Sequence, residues 1–213
     1  TYMEKCIICG KLGKHLFTVE KRRISSCQWC DLSWTENFQQ PDYKDYHYDE
    51  TYDSCRPLFD NAFLRLLHIT QKHIKSGNLY EIGSSVGNLL GIFAKNGWNV
   101  SGIEPSQSAT QIAIKKGFKV KNGYFQNEKI PENSYDLVII SQTLEHMDDP
   151  LKTLKLFKKY LNPKGCIIIT SPNWTNPRGY ILLTLWYLFK APITLADLHY
   201  FTPVDFQNFA KNE

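Results

Sequence analysis

Apolar runs and amphipathic segments alternate along most of the chain. Apolar residues recur with a helical period over residues 58–75, which predicts a helix with one buried face. Short apolar runs then predict five strands, at 79–82, 100–103, 118–120, 137–140 and 167–169, and the segments between them predict helices at 87–95, 106–116 and 151–161. Apolar strands joined by helices are typical of a parallel sheet covered on both faces. We therefore predict an α/β fold with a Rossmann-like, doubly wound, mostly parallel sheet.

Turn-forming residues mark the ends of these predicted helices. Ser106 is expected to cap the helix at 106–116, and Gly117 to end it. The tract Asn-Pro-Lys-Gly at 162–165 is expected to stop the last helix before the fifth strand.

Two Cys-x-x-Cys pairs precede this pattern, in a segment with few apolar positions. They are Cys6 with Cys9 and Cys27 with Cys30, separated by 17 residues. Each pair presents two thiolates, and four thiolates complete a tetrahedral structural zinc site. We predict a zinc ribbon at 1–36 that has no open coordination position and therefore no catalytic role for its metal.

Composition narrows the class of protein further. The 213 residues are 42% hydrophobic, which is enough for a sizeable core, and the net charge of +4 is too small to indicate nucleic acid by itself. The most apolar stretch is about half the roughly 20 residues that a membrane span needs. The six cysteines do not form a disulfide pattern, and the N-terminus does not resemble a signal peptide. We therefore expect a cytoplasmic protein without a membrane span.

A glycine-containing loop follows the first predicted strand of the sheet, in the tract LYEIGSSVGNLL. Gly83 and Gly87 bracket a tight turn, and Glu104 ends the next strand about 20 residues later, where a carboxylate can accept both hydroxyls of a ribose. The loop lacks the Gly-x-Gly-x-x-Gly spacing of a dinucleotide site, and Glu81 beside it would repel a pyrophosphate. A ligand with an amino group and a positive sulfur, such as S-adenosylmethionine, suits it better. The structural alternative is that these residues only end a strand and form a turn.

Four tracts together resemble the class I S-adenosylmethionine-dependent methyltransferases: YEIGSSVGNLL, GIEPS, YDLVIISQTLEHMDDP and LNPKGCIIITSPN. The resemblance covers residues 79–173 and implies that the first loop surrounds the methionine part of the cofactor and that Glu104 holds the ribose. The cofactor-binding residues that it suggests are Glu81, Gly83, Ser85, Gly87, Glu104, Pro105, Tyr124 and Gln142. An aromatic ring at Tyr124 or Phe125 is expected to stack on adenine, and the alternative is that one of these rings packs in the core.

Methyl transfer from a sulfonium requires mainly positioning, and a base only if the acceptor carries a proton. His146 and His199 are the candidate bases, since imidazole titrates near neutrality. A structural or cofactor-side role for His146, and a surface or capping role for His199, are the alternatives.

The resemblance also gives expectations for the flanks of the domain at 58–213. Residues 37–57 form a linker or strap, in which Tyr46 and Tyr52 fold over the cofactor or pack elsewhere. The apolar segment 174–195 is a lid over the acceptor site or a membrane-facing or partner-facing helix. The family has seven strands and the chain supplies five, so we expect a C-terminally truncated chain.

The predicted ribbon is compatible with more than one class of methyl acceptor. A four-cysteine module before this domain resembles sugar C-methyltransferases, which favours a small-molecule, sugar or glycan acceptor. The basic ribbon also allows a ribosomal RNA methyltransferase, although we expect no clear aromatic-basic stacking surface on it. A non-catalytic cofactor-binding scaffold is the third hypothesis.

Overall fold

The computed structural model describes residues 4–19, 21–44, 56–171 and 199–200. The chain divides into two compact units. One, the ribbon unit, comprises Thr1–Pro41, Leu144–Lys152 and Ser171–Glu213, and the other, the sheet unit, comprises Asp42–Thr143 and Thr153–Thr170. Within the described ranges no helix is long and apolar enough to cross a bilayer.

The described strands and helices are numbered here in chain order. The strands are β1 Lys14–Val19, β2 Arg22–Ser26, β3 Ser33–Thr35, β4 Asn78–Ile82, β5 Asn99–Glu104, β6 Lys119–Asn122, β7 Tyr135–Ser141, β8 Leu161–Thr170 and β9 His199–Tyr200. The α-helices are α1 Arg56–Thr70, α2 Asn88–Ala94, α3 Gln107–Lys115 and α4 Pro150–Tyr160, with short 3-10 helices at Phe125–Asn127 and Leu144–His146.

The sheet unit contains a five-stranded parallel sheet in the order β6-β5-β4-β7-β8. One sheet face packs against α1, α2 and α3, where Leu67, Phe93 and Ala113 meet Leu79 and Leu137 of the central strands. The predicted doubly wound fold is confirmed. The reversal of strand order lies between β4 and β7, so ligands are expected at the carboxyl ends of these central strands.

The helix boundaries follow the predicted signals. The Ser106 hydroxyl accepts a hydrogen bond from the Ala109 N–H (3.2 Å), and Gly117 after α3 has φ of 92°. The expected end of the last helix before 162–165 is confirmed, because α4 ends at Tyr160, but β8 begins directly after it at Leu161. Those four residues bulge opposite Asp136, whose Oδ1 accepts a hydrogen bond from the Asn162 amide (2.6 Å). The bulge accommodates these four turn residues within the strand.

The ribbon unit contains an antiparallel sheet in the order β1-β2-β3-β9. The side chain of Trp34 is 1% exposed, and its indole N–H donates to Glu4 Oε2 (3.2 Å). Trp34 pairs with His199 of β9, a strand that no sequence pattern placed in this sheet.

Candidate cofactor site and metal centre

The loop between β4 and α2 uses three residues in left-handed backbone conformation. Gly83 has φ of 70°, Gly87 has 76° and Ser85 has 48°. A Cβ at Gly83 would lie 2.4 Å from the Thr143 hydroxyl oxygen, so this position requires glycine for space as well as for conformation. The loop therefore brings its backbone close to the end of β7.

Glu104 ends β5 beside this loop. Its Oε2 accepts a hydrogen bond from the Ser85 N–H (2.9 Å), and its Oε1 accepts one from the Ser106 N–H (2.9 Å). Burial raises the pKa of this carboxyl, while the two N–H donors lower it. Each carboxylate oxygen has a second lone pair, so the fixed carboxylate can also accept two hydroxyls of a ribose.

Glu81, near the end of β4, is a buried carboxyl with an unsatisfied oxygen. Glu81 is 4% exposed, and its Oε2 has no hydrogen-bond partner among the described residues. Burial, followed by the negative charge of Glu104, raises its pKa well above the ordinary value. An isolated buried carboxylate is costly, so a cationic ligand beside it would stabilise the ionised form.

Tyr124 follows β6 and connects two parts of the sheet unit. Its hydroxyl donates to Asp42 Oδ1 (2.9 Å) and accepts from the Tyr43 N–H (2.9 Å). Phe125 is buried instead, with its ring centroid 4.3 Å from that of Phe157. Of the two aromatic candidates for adenine, Phe125 therefore packs in the core, and only Tyr124 is still available to stack.

Residues 42–44, the part of the predicted strap that belongs to the sheet unit, are held near the ends of β5 and β6. Besides the Tyr124 contacts, the Lys44 carbonyl accepts a hydrogen bond from the Gln107 N–H at 3.4 Å. Asp42 was not predicted as a site residue, because a pairing across 82 sequence positions leaves no local signal. Tyr46 and Tyr52 lie outside the described residues.

Gln142 and Pro105 directly follow β7 and β5, the two strands that flank β4 in the sheet. Gln142 follows β7 with φ of 53°, and its N–H donates to the Thr170 carbonyl (2.8 Å). Such left-handed conformations in residues other than glycine cluster at ligand sites. The Pro105 carbonyl accepts a hydrogen bond from the Asn122 amide (3.0 Å). Asn122, which the sequence reasoning missed, thereby fixes the segment after Glu104.

The two candidate bases belong to the ribbon unit. His146 lies in the 3-10 helix Leu144–His146, and the backbone of His199 pairs with Trp34; the His199 side chain lies outside the described part. Glu145 beside His146 is 1% exposed, and burial raises its pKa to about 7. The catalytic roles of both histidines stay predictions.

The four N-terminal cysteines come together in the ribbon unit, with all four Sγ atoms within 4.8 Å of one another. The Cys6–Cys30 and Cys9–Cys27 Sγ distances are both 3.4 Å, and Cys9–Cys30 is 3.8 Å. Zinc–sulfur bonds of ~2.3 Å in a tetrahedron would place the sulfurs ~3.8 Å apart. The thiol set therefore fits a Zn²⁺ ion, although burial raises the pKa of the Cys6 thiol to about 11 without the cation.

The parallel sheet order, the glycine loop and the acidic end of β5 define the class I S-adenosylmethionine-dependent methyltransferase fold. A family model described as "Methyltransferase domain" matches residues 50–212, and the chain belongs to this family.

Curated relatives carry methyltransferase names. A ubiquinone biosynthesis O-methyltransferase of Alkalilimnicola ehrlichii is 26% identical over 140 residues, which are 62% of this chain and 56% of the relative. The same-named protein of Aeromonas salmonicida is 30% identical over 149 residues, covering 63% of this chain and 61% of the relative. The chain thus spans less than two thirds of the length of these relatives.

Solved structures share the fold. A SAM-dependent methyltransferase of Thermotoga maritima matches with a TM-score of 0.61 and 21% identity, over 76% of this chain and 75% of that one. One from Archaeoglobus fulgidus gives a TM-score of 0.62 and 20% identity, over 76% and 70% of the two chains.

Proposed function

We propose that this protein binds S-adenosylmethionine in the sheet unit and transfers its methyl group to a small-molecule or sugar-containing acceptor. The observation that carries the first part is the pair of hydrogen bonds that fix the Glu104 carboxylate beside the left-handed loop at Ser85. This arrangement suits a ribose next to a positively charged methionine end, for which the unsatisfied Glu81 oxygen supplies the counter-charge.

Methyl transfer from a sulfonium requires few catalytic groups from the protein. The sulfonium leaving group becomes neutral, so most of the rate comes from holding the acceptor in line with the methyl group. If the acceptor carries a proton, His146 or His199 would remove it, which requires the neutral imidazole. Tyr124 would face the adenine, and Gln142 and Pro105 would border the cofactor at the ends of β7 and β5.

The acceptor class is inferred from relatives. The ubiquinone biosynthesis enzymes are O-methyltransferases by name, which favours a small organic acceptor over a macromolecule. The four-cysteine module before the domain favours a sugar or glycan, by its resemblance to sugar C-methyltransferases. For the ribbon we propose a structural Zn²⁺ held by its four cysteines, and a reducing, cytoplasmic location that keeps the thiols available.

Calorimetric titration of the purified chain with S-adenosylhomocysteine, and with NAD in parallel, tests the cofactor. We expect micromolar binding of the first ligand only. Glu104→Gln should weaken it by about tenfold or more, because a hydrogen bond to a charged group is worth ~1.5–3 kcal/mol. The matched control Glu132→Gln, on an exposed loop residue, should bind as the wild type does. NAD binding, or binding of neither ligand, would contradict the proposal.

One observation favours RNA as a second candidate acceptor. Trp29 on the ribbon is 59% exposed, and the Lys11 ammonium lies 4.7 Å from the centroid of its ring. The expectation that the ribbon lacks an aromatic-basic surface is therefore wrong. An exposed indole beside a cation suits an unstacked base next to a phosphate.

Fluorescence anisotropy with a labelled single-stranded RNA tests this candidate. If RNA is the acceptor, Trp29→Ala should weaken binding, and affinity should fall steeply with salt. Lys72→Ala, which changes an exposed lysine outside the ribbon, serves as the control. Equal binding by the Trp29→Ala variant would remove RNA as a candidate.

A further inference from the structure

A pocket of about 280 Å³ opens on the sheet face opposite α1, α2 and α3. Its floor is formed by Tyr80 of β4 and Ser101 of β5, which are register partners, with Tyr135 at the side. The 128–131 segment and two lysines of β6 form its walls. It contains none of the residues predicted to bind the cofactor.

The floor of this pocket departs from the usual composition of a parallel sheet. Central strands of such sheets carry Val, Ile and Leu on both faces, because helices cover both. Here Leu79 enters the apolar core, whereas Tyr80, Ser101 and Lys119 lie side by side on the opposite face. A phenol, a hydroxyl and an ammonium therefore stand on this face where apolar side chains are usual.

The Tyr80 hydroxyl is the strongest sign of a ligand. Tyr80 is 4% exposed and lines the pocket, yet its hydroxyl has no hydrogen-bond partner among the described residues. The tyrosine ring itself is well packed, 4.9 Å from the ring of Tyr135. The Ser101 hydroxyl is only loosely engaged, 3.3 Å from the Leu79 carbonyl and 3.5 Å from the Tyr135 hydroxyl. Neither hydroxyl is held by a strong hydrogen bond, so both have hydrogen-bonding capacity left for a ligand.

The charges around the pocket favour an anion. Lys121 is paired with Glu128 (2.6 Å). Lys119 and Lys129 also line the pocket, and neither forms an ion pair within the part of the chain that the structure describes. Ile130 and Pro131 add an apolar wall. The volume lies just below the ~300 Å³ at which ligand clefts begin, so the ligand must be compact.

We infer that this pocket is a second ligand site, for a small anion with a flat apolar body, such as an aromatic carboxylate. The Tyr80 and Ser101 hydroxyls contact the polar group, Lys119 and Lys129 supply the positive charge, and Ile130 and Pro131 cover the ring. This inference does not depend on the proposed methyl transfer, because the site shares no predicted residue with it.

Saturation-transfer NMR of the whole chain with benzoate as the probe tests the site. We expect saturable benzoate binding both with and without S-adenosylhomocysteine, and weaker binding of benzylamine, which carries the opposite charge. Tyr80→Phe should weaken benzoate binding by about fivefold, the value of one ordinary hydrogen bond. Lys119→Gln should also weaken it, whereas Lys72→Gln, the control at an exposed lysine away from the pocket, should leave it unchanged.

Folding of the Tyr80→Phe variant is checked separately. Removing a buried hydroxyl without a partner breaks no hydrogen bond, so the melting temperature should not fall. Three results would overturn the inference: no saturable benzoate signal, equal benzoate affinity in Tyr80→Phe and wild type, or benzylamine binding as strongly as benzoate.

Discussion

Replacing Glu145 by glutamine is expected to stabilise the protein progressively as the pH rises. Glu145 is 1% exposed, and burial raises its pKa from 4.5 to about 7. Below pH 4.5 the carboxyl is neutral in both the folded and the unfolded chain. Between 4.5 and 7 it ionises in the unfolded chain first, so the folded state loses stability as the pH rises. At about 1.36 kcal/mol for each pKa unit, the full loss is about 3 kcal/mol.

Urea unfolding of the wild type and of Glu145→Gln, from about pH 4.5 to about pH 8.5, measures this effect. The amide keeps the shape of the carboxyl, so its own packing effect should be constant with pH. The difference in unfolding free energy should therefore move in favour of the variant by about 3 kcal/mol across this range. The exposed control Glu132→Gln should give a flat difference. A flat difference for Glu145→Gln as well would refute the reasoning.

Three further substitutions give defined outcomes. Cys27→Ser removes one of the four thiolates, so the zinc content of the purified chain should fall from about one ion to near none. Mass spectrometry measures the zinc, and retained zinc would contradict the metal centre. Gly83→Ala should weaken S-adenosylhomocysteine binding by at least about tenfold in calorimetry, since its Cβ would lie 2.4 Å from the Thr143 hydroxyl oxygen; wild-type affinity would disprove the close approach. Tyr124→Phe should lower the unfolding free energy, measured in urea, by about 1 kcal/mol, because the variant loses the hydrogen bond to Asp42. Unchanged stability would show that the strap is not held there.

Local signals were sufficient to predict most of the sheet unit. Buried strands such as β7 carry uninterrupted apolar runs, and the Ser106 cap and the glycine after α3 act within a few residues. The tract at 162–165 ends the helix as predicted, but a bulge opposite Asp136 places these turn residues inside a strand, which was not predicted. That outcome depends on the neighbouring strand, which local sequence does not specify.

Local sequence likewise predicts some residues of the candidate site and not others. Gly83, Gly87 and Glu104 could be placed because their spacing along one strand–loop–helix unit determines their geometry. The contact between Asp42 and Tyr124 could not be predicted, because it joins residues 82 positions apart. The unsatisfied oxygen of Glu81 was equally hidden, since hydrogen-bond satisfaction depends on every neighbour of a buried atom.

The pairing of β3 with β9 has a consequence for the order in which the protein folds. Trp34 and His199 are register partners although they lie 165 positions apart, so the ribbon sheet stays one strand short until β9 has been made. The closure of so long a loop is slow, whereas the four cysteines are all made within the first 30 residues. A metal captured early would hold β1, β2 and β3 in register while the rest of the chain emerges. A fragment ending after β3 would lack the fourth strand and leave an open sheet edge, which favours self-association.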